Sequence, residues 1–245
     1  MAEIQLVVFD CDGTLVDSQV AIVGAMCEAS RRAGLAVPAA ERIRRVVGLN
    51  LHEAVHRLFP ELEEDGIETV SNHYKDEFLL LRQNRDFDEP LYPGTRECLT
   101  ALAESGVLLA VATGKSRRGL ARTLAHHGLA GAFISLQTAD TGPGKPHPEM
   151  LSRAMAEAGA ERATTIMVGD TTFDMEMARN AGTLAIGVGW GYHAPEELRG
   201  AGARAVLDRF ADLPPIVPRL FLSESAAGAP ATTPPATRDR DTDRL

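Results

Sequence analysis

Two aspartates stand two residues apart where an apolar run ends. Asp10-Cys11-Asp12-Gly13-Thr14 directly follows Ile4-Gln5-Leu6-Val7-Val8-Phe9. In extended chain, residues i and i+2 point to the same side about 6–7 Å apart, so both carboxylates leave the strand together. One can attack an electrophile while the other moves a proton. Gly13 lets the chain turn sharply and brings backbone N–H groups close to an anion. Three other sites follow apolar runs or open helices. Thr113-Gly114 follows Val-Leu-Leu-Ala-Val-Ala, Lys145 lies in Gly144-Lys145-Pro146-His147-Pro148, and Gly169-Asp170 with Asp174 follows Thr-Ile-Met-Val. Asp170 and Asp174 are spaced i, i+4 and share a face if a helix starts nearby. Singly, each has a plain structural reading: a threonine cap, a solvated lysine, an acid favoured at a helix N-terminus. Together they make four carboxylates, a lysine and a hydroxyl at strand ends. Clustered carboxylates repel unless a cation neutralises them. Hard oxygen ligands with room for water suit Mg²⁺. Such a set suits phosphoryl transfer, where catalysis is mostly positioning and charge neutralisation.

The elements that must position these residues are legible as short apolar runs. Residues 4–9, 107–112, 165–168 and 184–188 read as buried parallel strands. Helical patterns at 95–104, 117–127, 147–158 and 173–180 alternate with them. The expectation is an α/β fold, a doubly wound parallel sheet, with ligands at the carboxyl ends of its strands. From 18 to 88 no strand is visible, only helical patterns at 19–32, 39–47, 51–59 and 64–85. This predicts an inserted all-helical cap domain at 18–88 and a core domain formed by 1–17 and 89–222, with 86–93 as the return linker. The Ala/Pro/Thr-rich segment 223–245 is expected to be a disordered tail, because it cannot bury enough apolar surface.

Composition narrows the class. The chain has 245 residues, with 25 Lys plus Arg against 34 Asp plus Glu, for a net charge of −9. An acidic surface repels phosphate backbones and anionic lipid, so neither nucleic acid nor membrane is an expected partner. Three cysteines in no metal spacing, and a start without a secretory pattern, point to a cytoplasmic protein. A monomer or homodimer is expected.

Several other motifs compete. His52-Glu53-Ala54-Val55-His56 matches a zinc-peptidase helix, but it sits in the insert with no strand to edge a peptide cleft. Gly114-Lys115-Ser116 ends like a P-loop, but Leu109 stands where the first glycine belongs. Gly187-x-Gly189-x-Gly191 is followed by Tyr192, which breaks a dinucleotide fingerprint. His126 and His127 read as a helix C-terminal pair. Cys11 reads as a packed thiol, and Trp190 as structural. Arg44, Arg45 and Lys75 read as solvated cap charges, with one of them free to meet the far end of an anionic substrate. Gly48-Leu49-Asn50 is a candidate specificity turn facing the core.

The catalytic motifs in their order, Asp10-x-Asp12-Gly-Thr, Thr113, Lys145 and Gly169-Asp170-x-x-x-Asp174, resemble those of the haloacid dehalogenase superfamily in its phosphatase branch. DCDGTLVDS, LYPGTRECL, GKPHPEM, GDTTFDMEMARNAG and GVGWGYH resemble the phosphoglycolate phosphatase-like group. The resemblance spans about residues 4–215. It implies that Asp10 forms an aspartyl-phosphate and that Asp12 is the general acid and base. It also implies that Thr113 and Lys145 bind phosphoryl oxygens, with Gly114 beside them and the Asp12 and Gly13 N–H groups as further donors. Mg²⁺ would be held by Asp10, the Asp12 carbonyl and Asp170, with Asp174 close by. The helical insert would close over a small phosphorylated metabolite. Dehalogenase members lack the second aspartate, so Asp12 disfavours dehalogenation. The alternatives are a phosphosugar mutase using the same two aspartates, and a non-catalytic phospho-acceptor module like a receiver domain.

Overall fold

The computed structural model describes residues 3–84 and 87–227. Six parallel strands form one sheet: β1 Leu6–Phe9, β2 Leu108–Thr113, β3 Ser135–Thr138, β4 Thr165–Gly169, β5 Leu184–Val188 and β6 Ala205–Leu207, in the order β3-β2-β1-β4-β5-β6. Helices α1 Gln19–Arg32, α2 Ala40–Arg44, α3 Leu51–Leu58 and α4 Glu64–Leu81 lie between β1 and β2. The remaining helices are α5 Thr95–Glu104, α6 Arg117–His126, α7 Glu149–Ala158, α8 Thr172–Ala181, α9 Pro195–Ala201 and α10 Leu213–Ala227.

Alternation along β1 explains the layering. Val7 and Phe9 join a core with Leu102 of α5, Leu120 of α6 and Val217 of α10. Leu6 and Val8 face the other way, onto Leu151 of α7 and Met175 of α8. A third apolar cluster joins Met26 of α1, Ile43 of α2, Val55 of α3 and Val70 of α4. Phe173 of α8 inserts into that cluster, and the Arg57 guanidinium of α3 lies 5.3 Å from its ring centroid.

Two strands have no clear sequence signal. β3 is Ser-Leu-Gln-Thr, and its buried Gln137 is satisfied by Ser135 Oγ and Glu157 Oε1 at 2.9 and 3.0 Å rather than by apolar packing. β6 has three residues. α7 starts at Glu149, two residues later than expected, since Pro148 takes the N-cap. α4 ends at Leu81 rather than 85, where Arg82 turns toward Glu89 at 2.6 Å. The backbone of α10 carries five residues of the expected tail, and 228–245 lie outside the described residues. Among the described residues no helix is long and apolar enough to cross a membrane.

Candidate active site

The chain leaves β1 for β2 on one side and later returns through β4 on the other. That reversal of strand order opens a crevice at the strands' carboxyl ends. Register aligns the site: Phe9 pairs with Val111 and with Val168, so Asp10, Thr113 and Asp170 emerge at the same edge. The Asp10 N–H donates to Val168 O at 2.9 Å and continues the ladder one residue past the strand.

Asp10 is buried, and its Oδ1 accepts the Cys11 N–H at 2.6 Å. Lys145 Nζ lies 2.8 Å from Asp10 Oδ1 and 2.6 Å from Asp174 Oδ1, ion-pair contacts without hydrogen-bond alignment. Asp174 closes the α8 capping box, its Oδ2 accepting from the Thr171 N–H at 3.0 Å and Oγ1 at 2.7 Å. The helix N-terminus role expected of an acid here is therefore filled by Asp174. Asp170, in the turn between β4 and α8, accepts from Thr14 Oγ1 at 2.8 Å and the Tyr192 N–H at 2.9 Å. Thr113 is buried and accepts the Lys115 N–H at 3.2 Å, which leaves its hydroxyl proton to donate elsewhere.

Four glycines around the site, Gly13, Gly114, Gly169 and Gly191, leave no room for a Cβ. Gly13 has φ +83°, and a Cβ there would stand 2.3 Å from Asp170 Oδ2. Its N–H, expected to face a phosphoryl group, instead donates to Val16 O at 2.9 Å, because the turn after Asp12 folds back on itself. A Cβ on Gly114 would stand 2.4 Å from Leu49 O and 2.7 Å from Gly48 O. The 48–50 turn of the helical insert thus rests directly on the loop after β2.

Asp12 has partners that spacing does not announce. Its Oδ1 accepts from Ser18 Oγ at 2.5 Å and Lys115 Nζ at 2.6 Å. Lys115 also lies 3.5 Å from Glu89 Oε1, and Glu89 Oε2 pairs with Arg82 at 2.6 Å. A lysine directly after a strand-end Thr-Gly is a weak signal for Lys115, and Ser18 closes the Asp10–Ser18 motif without any sign of its role; Glu89 carries no signal. Arg45 is solvent-exposed, as expected, and also pairs with Glu197 of α9 at 2.7 Å. In the zinc-like motif, His52 contacts Glu64 at 2.7 Å and Glu53 pairs with Arg57 at 2.7 Å. Trp190 Nε1 donates to Thr14 O at 3.1 Å, and its ring lies beside those of Tyr92 and Phe210.

Electrostatics follow from burial. Desolvation raises the Asp10 pKa to about 7; Lys145 opposes it and Asp174 adds to it. Asp170 is pushed well up by burial, then by Asp10 and Asp174. Burial works against charge on Lys145, but Asp10 and Asp174 outweigh it and the pKa rises. Carboxylate oxygens of Asp10, Asp170 and Asp174 lie within 4.8 Å of one another. Asp10 Oδ2 is buried without a hydrogen-bond partner. An orphaned carboxylate oxygen among three converging acids fits a divalent cation with oxygen ligands.

The crevice opens into a cavity of about 570 Å³ lined by Asp10, Asp12, Thr113 and Lys115 on the sheet side and by the helical insert opposite. A second hollow, about 220 Å³ beside Arg162 and Gly182, lies at the strands' other ends and holds no carboxylate.

A parallel α/β sheet thus brings carboxylates and a lysine together at its switch point, beneath a helical insert, the arrangement of an α/β enzyme site. The chain belongs to the haloacid dehalogenase-like hydrolase family, whose model matches residues 7–188. Among curated relatives, the chain is 37% identical to a probable phosphatase IndB of Dickeya dadantii, over 85% of this chain and 91% of that one. It is 32% identical to a phosphoglycolate phosphatase of Agrobacterium fabrum, over 91% and 97%. The fold matches a hydrolase from Pseudomonas syringae with a TM-score of 0.78 at 26% identity, covering 88% of this chain and 98% of that one.

Proposed function

We propose that this enzyme hydrolyses a small phosphomonoester in two steps through Asp10. The observation that carries the reading is Asp10 itself: a buried carboxylate at the cavity floor, with one oxygen unpartnered and a lysine 2.8 Å from the other. In the first step Asp10 attacks phosphorus, forming a P–O bond to its carboxylate while the P–O bond to the substrate alcohol breaks. Asp12 gives its proton to the departing oxygen. Lys145 and Thr113 hold the non-bridging oxygens. In the second step Asp12 takes a proton from water, the water oxygen bonds phosphorus, and the bond to Asp10 breaks, releasing phosphate. Asp10, the Asp12 carbonyl and Asp170 would hold Mg²⁺, with Asp174 alongside. When bound, Mg²⁺ neutralises charge on the phosphoryl oxygens and the acids.

The expected division into a core (1–17 and 89–222) and a cap (18–88) fits this scheme, with the cap excluding water during the reaction. Phosphoglycolate is the first compound to test, because a relative is named for it. The experiment is phosphate release with Mg²⁺ or with EDTA, for wild type and Asp10→Asn. Mg²⁺-dependent turnover that vanishes in Asp10→Asn, with an acid-stable phosphoenzyme in wild type, supports the reading. Transfer to a second hydroxyl instead of water would indicate a mutase. A single stoichiometric phosphorylation without turnover would indicate a receiver-like role.

A further inference from the structure

The cavity's two walls differ in chemistry. The sheet side carries Asp10, Asp12 and Thr113, whereas the insert side presents a contiguous apolar set, Ile22, Met26, Val47, Leu49 and Phe78, with Asn50, His52, Tyr74 and Asp76 as its polar members. Leu79, which is 37% exposed, continues this apolar surface toward the mouth. Of the cations that line the cavity, Lys115 and Arg82 are committed to Asp12 and Glu89, and the other three, Lys75, Arg118 and Arg122, are exposed on α4 and α6. They suit steering of an anion inward more than holding one at the apolar wall.

Size points the same way. Phosphoglycolate has nine non-hydrogen atoms. At no more than about 30 Å³ each, the share of a water molecule, these would fill less than about 270 Å³. That is under half of the 570 Å³ available. A two-carbon acid, charged at both ends, would also leave the apolar wall against water.

We propose that the physiological substrate is a phosphomonoester whose alcohol carries a bulky, largely apolar body, and that the Ile22, Met26, Val47, Leu49 and Phe78 wall selects it. This inference rests on the phosphatase reading above and specifies its substrate class. The phosphoryl group lies among Asp10, Thr113 and Lys145, and the body extends toward the insert. The phosphoryl chemistry, with its atoms and protons, is unchanged.

The test is kcat/KM for n-alkyl phosphates from methyl to hexyl, measured beside phosphoglycolate and p-nitrophenyl phosphate. Leaving-group reactivity changes little along the alkyl series, so the slope reads the wall. Burying each methylene predicts a gain of about fourfold per carbon, with hexyl phosphate exceeding phosphoglycolate. Val47→Thr keeps the shape but places a hydroxyl in the wall, and is expected to cut the hexyl-to-methyl ratio about tenfold. Leu79→Gln, nearer the surface, serves if Val47→Thr does not fold and should lower the same ratio. A flat or falling series, a preference for phosphoglycolate over every alkyl ester, or an unchanged ratio in the folded variants overturns the substrate class while the phosphatase reading stands. No release from any ester, p-nitrophenyl phosphate included, overturns both.

Discussion

Asp12 Oδ1 takes two donors, Ser18 Oγ at 2.5 Å and Lys115 Nζ at 2.6 Å, and these hold the carboxylate at the cavity's edge. Burial disfavours charge on Lys115, yet Asp12, and then Cys11 and Glu89, raise its pKa on balance. Lys115 therefore stays an ammonium within a chain of charges running from Asp12 through Glu89 to Arg82. Lys115→Met would leave the buried Asp12 without its cation, whereas Glu89 keeps Arg82, and the expected loss of stability in urea unfolding is about 3 kcal/mol. Asp12→Asn keeps the shape and removes the proton carrier. Its kcat on alkyl phosphates should fall about 10²- to 10⁴-fold, with a smaller fall on p-nitrophenyl phosphate, whose leaving group needs less proton help. Equal falls on both esters would remove the acid role from Asp12.

At the scale of elements, the decisive contact is that of the 48–50 turn on Gly114. Asn50 caps α3 by accepting the Glu53 N–H at 2.8 Å, which sets where the turn ends. Gly114 leaves room for the Leu49 carbonyl at a distance no side chain tolerates. Gly114→Ala would push the insert off the sheet edge while leaving the strands paired. A displacement of about 1 Å predicts a loss of roughly 100-fold in kcat/KM, with the melting temperature little changed. A variant with full activity would mean that this turn does not position the substrate. The pair between Arg45 and Glu197, which with the Ala194 N–H holds the Glu197 carboxyl down at about 2, ties the same insert to α9.

For the whole molecule, the buried acids set how stability answers pH. The Asp10 pKa is raised from 3.8 to about 7, first by desolvation, so the folded chain binds more protons than the unfolded one across that window. Stability contributed by Asp10 is present below pH 3.8 and is lost as pH rises through about 7. His193 acts in the opposite sense: burial, then Arg45, lowers its pKa, so its penalty disappears as pH rises. Subtracting the Asp10→Asn profile from that of wild type isolates the aspartate. In EDTA the wild type should lose melting temperature relative to Asp10→Asn between about pH 5 and 7.5. Mg²⁺ needs deprotonated ligands, so millimolar Mg²⁺ should raise the wild-type melting temperature more at the upper end of that range. Parallel profiles for the two proteins would contradict a titrating Asp10.

Much of this molecule is written in local pattern. An apolar β-branched run, then Asp-x-Asp-Gly, specifies a buried strand that delivers carboxylates to its carboxyl end, because strand alternation acts over two residues. Asp10, Thr113 and Asp170 are legible in this way, Lys145 and Asp174 by their place at helix starts, and four of the six strands and the helical insert by their patterns. β3 and β6 are not: Gln137 is buried by partners that only the folded sheet supplies, and three residues in β6 are too few to show a period. The strand order and the switch point came from chain crossovers, which no local pattern encodes. The setting of Asp12 was equally hidden. Ser18 reaches Asp12 through the local turn, Lys115 through the pairing of β2 with β1, and Glu89 through Lys115, so their meeting depends on strand pairing between distant segments. Residue types at strand ends are set by the sequence through short-range geometry. Which charges pair, which glycine carries the insert, and how large and how apolar the cavity becomes are decided only when distant segments pack.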